Sequence, residues 1–452
     1  MLSAFVNIFK IPDLKKKILV TLGLIVVYRI GAYIPTPGID SGALSAFFEM
    51  MNTRGGGTLF NLMNMFSGGA MQRATIFALG IMPYISASII LQLLTTVIPH
   101  LERLSKEGEE GRKTIIQYTR YGTVLLSVIQ SFFIALWLEN PANFPGLPEG
   151  MRIVPFPGWG FRILSVITLT SGTAFIMWLG EQITEYGVGN GISLIITVGI
   201  ISRVPTAIFQ LAAIMRPGTS QYGQIKSLTL LLLAVMMVLV IIGVILLTQG
   251  QRKIPVQYAK RVVGRRIYGG QSTYIPLRVN QAGVIPIIFA QSVILFPATI
   301  AGLVPSSIFR HIANLLVPSK LLYEVLYSLL IIFFSYFYTA ITFNPLDLSE
   351  NMKRYGGFIP GIRPGKPTAE YLDFVLTRIT FPGAIALAVI AVLPSLINGT
   401  LRIPYGVASF FGGTGLLIVV GVVLDTVRQI ESQLITHHYE GFVKKGRIRG
   451  RR

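Results

Sequence analysis

The sequence predicts an all-α polytopic membrane protein with ten transmembrane helices. Hydrophobic residues make up 52% of the 452 residues, and charged residues only 13%. The mean hydropathy of +0.64 lies far above that of a soluble chain. Several apolar stretches, taken with their flanks, approach the roughly 20 residues that a helix needs to cross about 30 Å of hydrocarbon.

Ten segments are predicted as spans once the weaker ones are included. In chain order they are 18–34, 71–98, 114–138, 161–183, 188–211, 228–248, 282–303, 321–343, 374–397 and 407–432. No basic, apolar leader with a cleavage site opens the chain, so we expect the first span to begin the fold.

Basic residues predict the orientation, because Lys and Arg favour cytoplasmic loops. The net charge is +20, and residues 249–281 carry seven basic side chains and no acidic one. Residues 433–452 hold six basic residues against the single Glu440, and the N-terminal 1–17 hold four lysines. An even number of spans puts both ends on one side. We therefore predict an amphipathic N-terminus and a basic tail, both in the cytoplasm.

The basic loop 249–281 has two interpretations that the residues leave open. It sets topology and attracts anionic lipid headgroups in either case. It is also suited to docking an acidic partner or the phosphates of an RNA.

Residues 58–70, TLFNLMNMFSGGA, are apolar but too short to span. As a helix they cover only about 20 Å. An interfacial helix, a re-entrant segment and a movable stopper between glycine hinges all fit, and the residues alone favour the first two.

Charges within the predicted spans are few and lie toward the helix ends: Arg29, Glu181, Arg203, Arg378 and Asp425. An ion-coupled transporter normally needs an acidic or histidine site near the bilayer midplane. Asp425 keeps that class as an alternative, and a membrane scaffold without a pore is a second one.

We expect no catalytic residue, metal site or cofactor. The four histidines lack zinc-site spacing, and the absence of cysteine removes thiol chemistry. GIRPGKPT at 361–368 only resembles a phosphate loop, because its glycines are one residue too close and Pro367 replaces the Ser or Thr. The energy for any transport would then come from a partner, so we predict that the chain is not an enzyme.

Five long strings closely resemble the SecY family, in the family's order and spacing over essentially the whole chain. They are FALGIMPYISASIILQLL at 77–94, GEQITEYGVGNGISLII at 180–196, QRKIPVQYAKRVVGRR at 251–266, QSTYIPLRVNQAGVIPIIFAQSVILFPATIAG at 271–302 and FNPLDLSENMKRYGGFIPGIRPGKPTAEYL at 343–372. The resemblance implies a protein-conducting channel of the bacterial cytoplasmic membrane, which translocates unfolded secretory polypeptides and inserts membrane proteins laterally. It further implies two inverted five-helix halves, 18–211 and 228–432, forming a clamshell around an hourglass pore with a short plug helix.

The resemblance also assigns residues to the channel. The pore ring maps to five isoleucines: Ile81, Ile85, Ile196, Ile288 and Ile418. The plug maps to about 58–70, with the apolar side chains Leu59, Phe60, Leu62, Met63, Met65 and Phe66. Gln92 and Asn190 match polar positions of the gate. For a single isoleucine, lipid contact or core packing would otherwise be the default.

Loops 249–281 and 344–371 resemble the family's cytoplasmic docking loops for the SecA motor or the ribosome, with possible rRNA contact. The basic residues implied are Arg252, Lys253, Lys260, Arg261, Arg265, Arg266 and Arg363. A hydrogen bond that staples the loop is the alternative role of Arg363. The other partners implied are SecE, SecG, signal peptides, nascent or secretory polypeptides and membrane lipids.

Overall fold

The computed structural model describes residues 11–53, 64–141, 144, 152–215, 227–258, 261–263, 266–268, 272–303, 315–316, 320–401 and 413–445. The described chain is mostly α-helical, as the sequence predicts. It divides into two compact units, which are treated separately below. The first comprises Met1–Gln224, Ser292–Pro318 and Val422–Arg452, and the second comprises Ile225–Gln291 and Ser319–Gly421.

The helices that lie wholly in the first unit are α1 Pro12–Gly31, α2 Ser41–Thr53, α3 Met82–Val97, α4 Pro99–Lys106, α5 Glu109–Glu139, α6 Trp159–Tyr186, α7 Gly191–Ile201 and α8 Val204–Met215. Proline occupies the first turn of α1, α3 and α4. Its fixed φ suits that turn, where its missing N–H costs no helical hydrogen bond. Asp40 caps α2, since its carboxylate accepts from the Gly42 and Ala43 amides at 2.9 and 3.1 Å.

The second unit contains α9 Ser227–Gln249, α11 Leu321–Thr342, α12 Pro345–Arg354 and α13 Lys366–Leu401, and the helices α10 Ile285–Leu303 and α14 Thr414–Lys445 begin in it. Its strands are β1 Gln251–Tyr258, β2 Arg261–Val263, β3 Arg266–Tyr268, β4 Ser272–Arg278 and β5 Gly357–Phe358. One antiparallel sheet has the order β4-β1-β5, and β2 pairs with β3. The register pairs Ile254 with Ile275 and Gln257 with Phe358.

Six helical stretches of the described residues are long and apolar enough to cross a membrane. They are Glu109–Glu139, Trp159–Tyr186, Gly191–Phe209, Leu231–Gln249, Leu321–Arg354 and Lys366–Ile397. Helices α3 and α4 become a seventh span if the pair, bent by 100°, counts as one. These stretches correspond to seven of the ten predicted spans.

The remaining predicted spans coincide with α1, α10 and α14, which do not meet the same criterion within the described residues. Lys15, Lys16 and Lys17 lie in α1, and α14 carries Asp425, Arg428 and Glu431, whereas α10 offers only a short apolar stretch, Ile285–Pro297. Ten spans therefore remain a prediction.

The predicted helix at 71–98 begins later than expected, at Met82, and residues 71–81 form turns. Positive φ angles at Ala74 and Gly80, 46° and 59°, are incompatible with a right-handed helix there. Phe77 fills the space beside Gly31, where a Cβ would overlap its ring, and it stacks on Tyr28 at 5.9 Å between centroids. Burial of this aromatic ring thus overrides the local apolar pattern.

Candidate functional site

Three of the five predicted ring isoleucines lie in the first unit. Ile81 immediately precedes α3, and Ile85 lies in its first turn, so one helical turn separates them. Ile196 lies in the middle of α7. All three side chains are buried, at 2%, 3% and 1% exposure.

The other two ring isoleucines lie in the second unit. Ile288 is in the first turn of α10 and Ile418 at the start of the second turn of α14, and both are buried. These two helix starts pack closely, because a Cβ on Gly421 would overlap the Val284 side chain. Burial excludes lipid contact for all five isoleucines and leaves pore lining and interior packing as the alternatives.

Part of the predicted plug segment is described, and it is anchored within the first unit. Met65 and Phe66 are buried. Asn64, fully buried, exchanges hydrogen bonds with Gln72: its amide donates to Oε1 at 3.2 Å, and its Oδ1 accepts from the Gln72 backbone N–H at 3.1 Å. Leu59, Phe60, Leu62 and Met63 lie outside the described residues.

The end of this segment rests against α7 at a contact between two glycines. A Cβ on Gly68 would lie 2.9 Å from the Gly199 Cα, and Gly68 has a φ of +64°. The Gly68 carbonyl accepts long hydrogen bonds, each 3.5 Å, from Arg29 Nη1 and Ser202 Oγ. Only glycine satisfies both the close approach and the left-handed backbone at position 68.

The two predicted gate residues have different local roles. Asn190 is the N-cap of α7, where its side-chain oxygen accepts from the Ser193 N–H at 3.1 Å. Gln92 lies in the C-terminal half of α3 and is half-buried.

The two predicted docking loops form one packed body in the second unit. Strand β1 from the first loop pairs with β5 from the second. Side chains from β1, β4, α12, α13 and the residue after β5 share a hydrophobic cluster: Ile254, Val256, Leu277, Met352, Ile359, Leu372, Val375 and Leu376. We call β1, β4, β5, α12 and the first turns of α13 the platform. Its packing holds the basic side chains of both loops on one scaffold.

Three of the predicted docking residues are described with their side chains, and all three are exposed. Arg252 and Lys253 lie on β1, and Arg363 lies in the turn between β5 and α13. The Arg363 carbonyl accepts from Thr368 Oγ1 at 2.8 Å, so its backbone staples the turn while its guanidinium faces outward. Arg261 and Arg266 lie on β2 and β3, and Lys260 and Arg265 lie outside the described residues.

Asp425, the residue that keeps an ion-coupled transporter as an alternative, is paired and exposed. Its carboxylate lies 3.9 Å from Arg428 Nη1, and 59% of the side chain is accessible. Within the described ranges, no group of three His, Cys, Asp or Glu side chains is arranged to hold a metal ion.

Sequence reasoning missed the ion pairs that join neighbouring helices. Arg120 on α5 donates Nε and Nη2 to the two oxygens of Glu181 on α6, at 2.9 and 2.8 Å. Glu139 accepts from Arg162 at 2.7 Å. The sequence also missed the pairing of β1 with β5, although alternating burial at Ile254 and Val256 within a basic loop is the period of a strand.

Known proteins resemble this chain over nearly its whole length. The sequence profile of the SecY family matches residues 75–427. The protein translocase subunit SecY of Streptomyces scabiei is 49% identical over 452 residues, covering 98% of this chain and all of that protein. Its counterpart in Escherichia coli K12 is 47% identical, covering 97% and 96%.

Solved structures share the fold at low sequence identity. A protein-conducting channel superposes with a TM-score of 0.64 and 16% identity, covering 93% of both chains. The Sec61 channel in a canine ribosome–channel complex gives a TM-score of 0.60, also at 16% identity and 93% coverage of both chains.

Proposed function

Because the chain belongs to the SecY family, we propose that it is the central subunit of the protein-conducting channel of the bacterial cytoplasmic membrane. It translocates unfolded secretory polypeptides and releases membrane segments into lipid, driven by the SecA ATPase or a translating ribosome. The observation that carries this is 49% identity over 98% of the chain to a protein translocase subunit. The role of such a channel is non-enzymatic, so the energy comes from the partner.

The architecture we propose is a clamshell of ten spans, in two inverted halves at 18–211 and 228–432. The fold shared with a protein-conducting channel supports it, as do the helices already long enough to span. Both termini face the cytoplasm in this arrangement, in agreement with the basic N-terminal segment and tail.

The five buried isoleucines form the waist of the pore in this proposal. A narrow apolar constriction dewets, so water and ions meet a barrier that a flexible polypeptide passes by displacing side chains. Burial of each isoleucine below 6% exposure fits this role. Apolar side chains that this proposal places against lipid are exposed by contrast: Ile30 is 60% exposed.

The segment around 58–70 is the proposed plug on the external side of the waist. Its contact with α7 at Gly68 consists of a close approach between two glycines and two long hydrogen bonds, and this is the contact that we expect to open when the plug moves. Gln92 and Asn190 belong to the proposed lateral gate, where polar contacts within the membrane are worth about 1 kcal/mol each.

The platform is the proposed docking site for SecA or the ribosome, with rRNA phosphates as possible contacts. Outward-facing Arg252, Lys253 and Arg363 supply the positive charge, and the hydrophobic cluster gives them a rigid base. One solved structure of the same fold is ribosome-bound. SecE and SecG complete the proposed assembly.

Reconstitution tests this function. The chain is co-reconstituted with SecE in liposomes, SecA, ATP and a secretory precursor are added outside, and protection of the precursor from protease is measured. We expect ATP-dependent protection, with a photo-crosslinker at Ile85 trapping the precursor. Absence of protection with an active SecA, or solute uptake that depends on Asp425, would favour a transporter instead.

A further inference from the structure

Two arginines of the first unit converge on one exposed tyrosine just after α1. The guanidinium carbon of Arg73 lies 4.3 Å from the centroid of the Tyr33 ring, and that of Arg29 lies 5.5 Å away. Arg29 Nη2 also donates to the Tyr33 hydroxyl at 3.4 Å. Tyr33 is 57% exposed, so both cations surround a ring that stays open to the surroundings.

The backbone holds this arrangement in place. The Ile76 N–H donates to the Ile34 carbonyl at 3.0 Å, and the Thr36 N–H donates to the Ala74 carbonyl at 2.8 Å. Ala74, next to Arg73, has a φ of +46°, a region that disfavours any residue with a Cβ. Such strained positions concentrate at functional sites, where the surrounding structure maintains them.

Among the residues that the structure describes, no carboxylate neutralises these two positive charges. None of the ion pairs found among the described residues involves Arg29 or Arg73. Arg162 provides a contrast: it also stacks on an aromatic ring, Trp159, at 5.1 Å, but Glu139 neutralises it at 2.7 Å. Arg29 and Arg73 therefore keep the capacity to bind an anion from outside the chain.

The surroundings indicate which anion. Helix α1 exposes a series of apolar side chains that leads up to the tyrosine: Leu19, Leu22, Val26, Val27 and Ile30. In a membrane protein such a face contacts acyl chains, and Tyr at its end marks the headgroup level. A ligand with acyl chains along α1 and a negative charge at Tyr33 is an anionic phospholipid.

We propose that Arg29 and Arg73, arranged about Tyr33, bind the headgroup phosphate of an anionic phospholipid. Guanidinium groups suit a phosphate because their planar donors match its oxygens. An anionic headgroup without its own cation is preferred to phosphatidylcholine, whose ammonium competes for the phosphate. The site needs only that α1 faces lipid. Arg29 Nη1 also donates to the Gly68 carbonyl of the proposed plug, so Arg73 is the residue that tests the lipid site apart from the channel function.

The sequence contains no cysteine, which allows a local probe. A bimane fluorophore is attached to the full-length Ile34→Cys variant, in phosphatidylcholine vesicles containing a small fraction of doxyl-labelled phosphatidylglycerol or doxyl-labelled phosphatidylcholine. We expect stronger quenching by the anionic lipid. Arg29→Gln or Arg73→Gln should each reduce that preference roughly fivefold, the equivalent of about 1 kcal/mol for a basic residue near an anionic membrane surface.

Arg152→Gln is the matched control, because Arg152 is an exposed arginine of the same unit, beside the residue that bonds Asp40. We expect it to leave the preference unchanged, and Arg73→Lys to retain part of it. Equal quenching by the two lipids in the parent variant would overturn the proposal. An equal loss of the lipid preference in Arg152→Gln would also overturn it, because that result indicates diffuse surface charge. Abolition of the preference by millimolar inorganic phosphate would overturn it as well, because that result indicates a site for the free ion. Should Arg73→Gln fail to fold, Arg29→Gln decides, with ion conductance measured in parallel because Arg29 also donates to the Gly68 carbonyl.

Discussion

Replacing Gly68 with alanine should release the anchor of the proposed plug. Gly68 has a φ of +64°, and its added Cβ would lie 2.9 Å from the backbone of Gly199 on α7. Both penalties exist only while the segment rests on α7, since a displaced segment can relax its backbone and leave the contact. The substitution therefore shifts the equilibrium between anchored and displaced segments.

The size of the shift follows from the two penalties. The left-handed backbone costs an alanine about 1–2 kcal/mol. Overpacking against a neighbouring backbone adds about 1–3 kcal/mol. Gly68→Ala thus weakens the anchor by roughly 2–5 kcal/mol, and every 1.4 kcal/mol is about a tenfold change in the displaced population. We expect at least a tenfold rise in the fraction of open time.

Ion conductance in planar bilayers measures that fraction. Gly69→Ala is the matched control, because Gly69 has a φ of +88° but its Cβ would meet nothing within 4 Å. It carries the backbone penalty without the clash, so its leak should lie between those of the parent protein and Gly68→Ala. The difference between the two variants isolates the contact with α7.

Equal conductance of Gly68→Ala and the parent protein would refute this reasoning. Equal ion leaks in Gly68→Ala and Gly69→Ala would also refute it, because the close approach to Gly199 would then contribute nothing to the free energy of the anchored state. A parallel thermal unfolding measurement separates a displaced segment from a globally destabilised chain.

Three further changes test other parts of the molecule. Arg120→Gln should lower the free energy of unfolding by about 1–2 kcal/mol, a value between those for exposed and buried ion pairs. Adding Glu181→Gln should restore part of this free energy, as measured by thermal unfolding. Gly357→Val should separate β5 from β1, because its Cβ would lie 2.9 Å from the Tyr258 ring, and should weaken co-sedimentation with ribosomes although every charge is kept. Ile81→Gly together with Ile288→Gly should raise ion leak in planar bilayers, because the waist loses its apolar seal.

Each of these has a control of similar chemistry. An additive double variant would mean that Arg120 and Glu181 do not interact energetically. Gly361→Ala strains a turn glycine with a φ of +85° but meets open space and leaves the pairing of β1 with β5 intact, so ribosome binding should fall less than in Gly357→Val. Ile176→Gly removes an equally buried isoleucine from α6, outside the proposed waist, and should destabilise the chain without raising the leak.

The sequence was sufficient for the class of protein and for the family. A run of about 20 apolar residues predicts a membrane-spanning helix from local composition alone. For that reason the predictions at 114–138, 161–183 and 374–397 coincide with α5, α6 and α13. Similarity to SecY relatives over nearly the whole chain confirms the family that the five strings suggested.

Tertiary structure decided what depends on residues far apart in the chain. The same apolar composition at 71–81 makes turns, because Phe77 packs beside Gly31 and the backbone pairs with residues 34–36. The two predicted docking loops join because Gln257 pairs with Phe358. Arg29 and Arg73 meet only because both approach Tyr33. Hydropathy is a property of each segment, whereas a contact depends on two segments at once, and only folding brings them together.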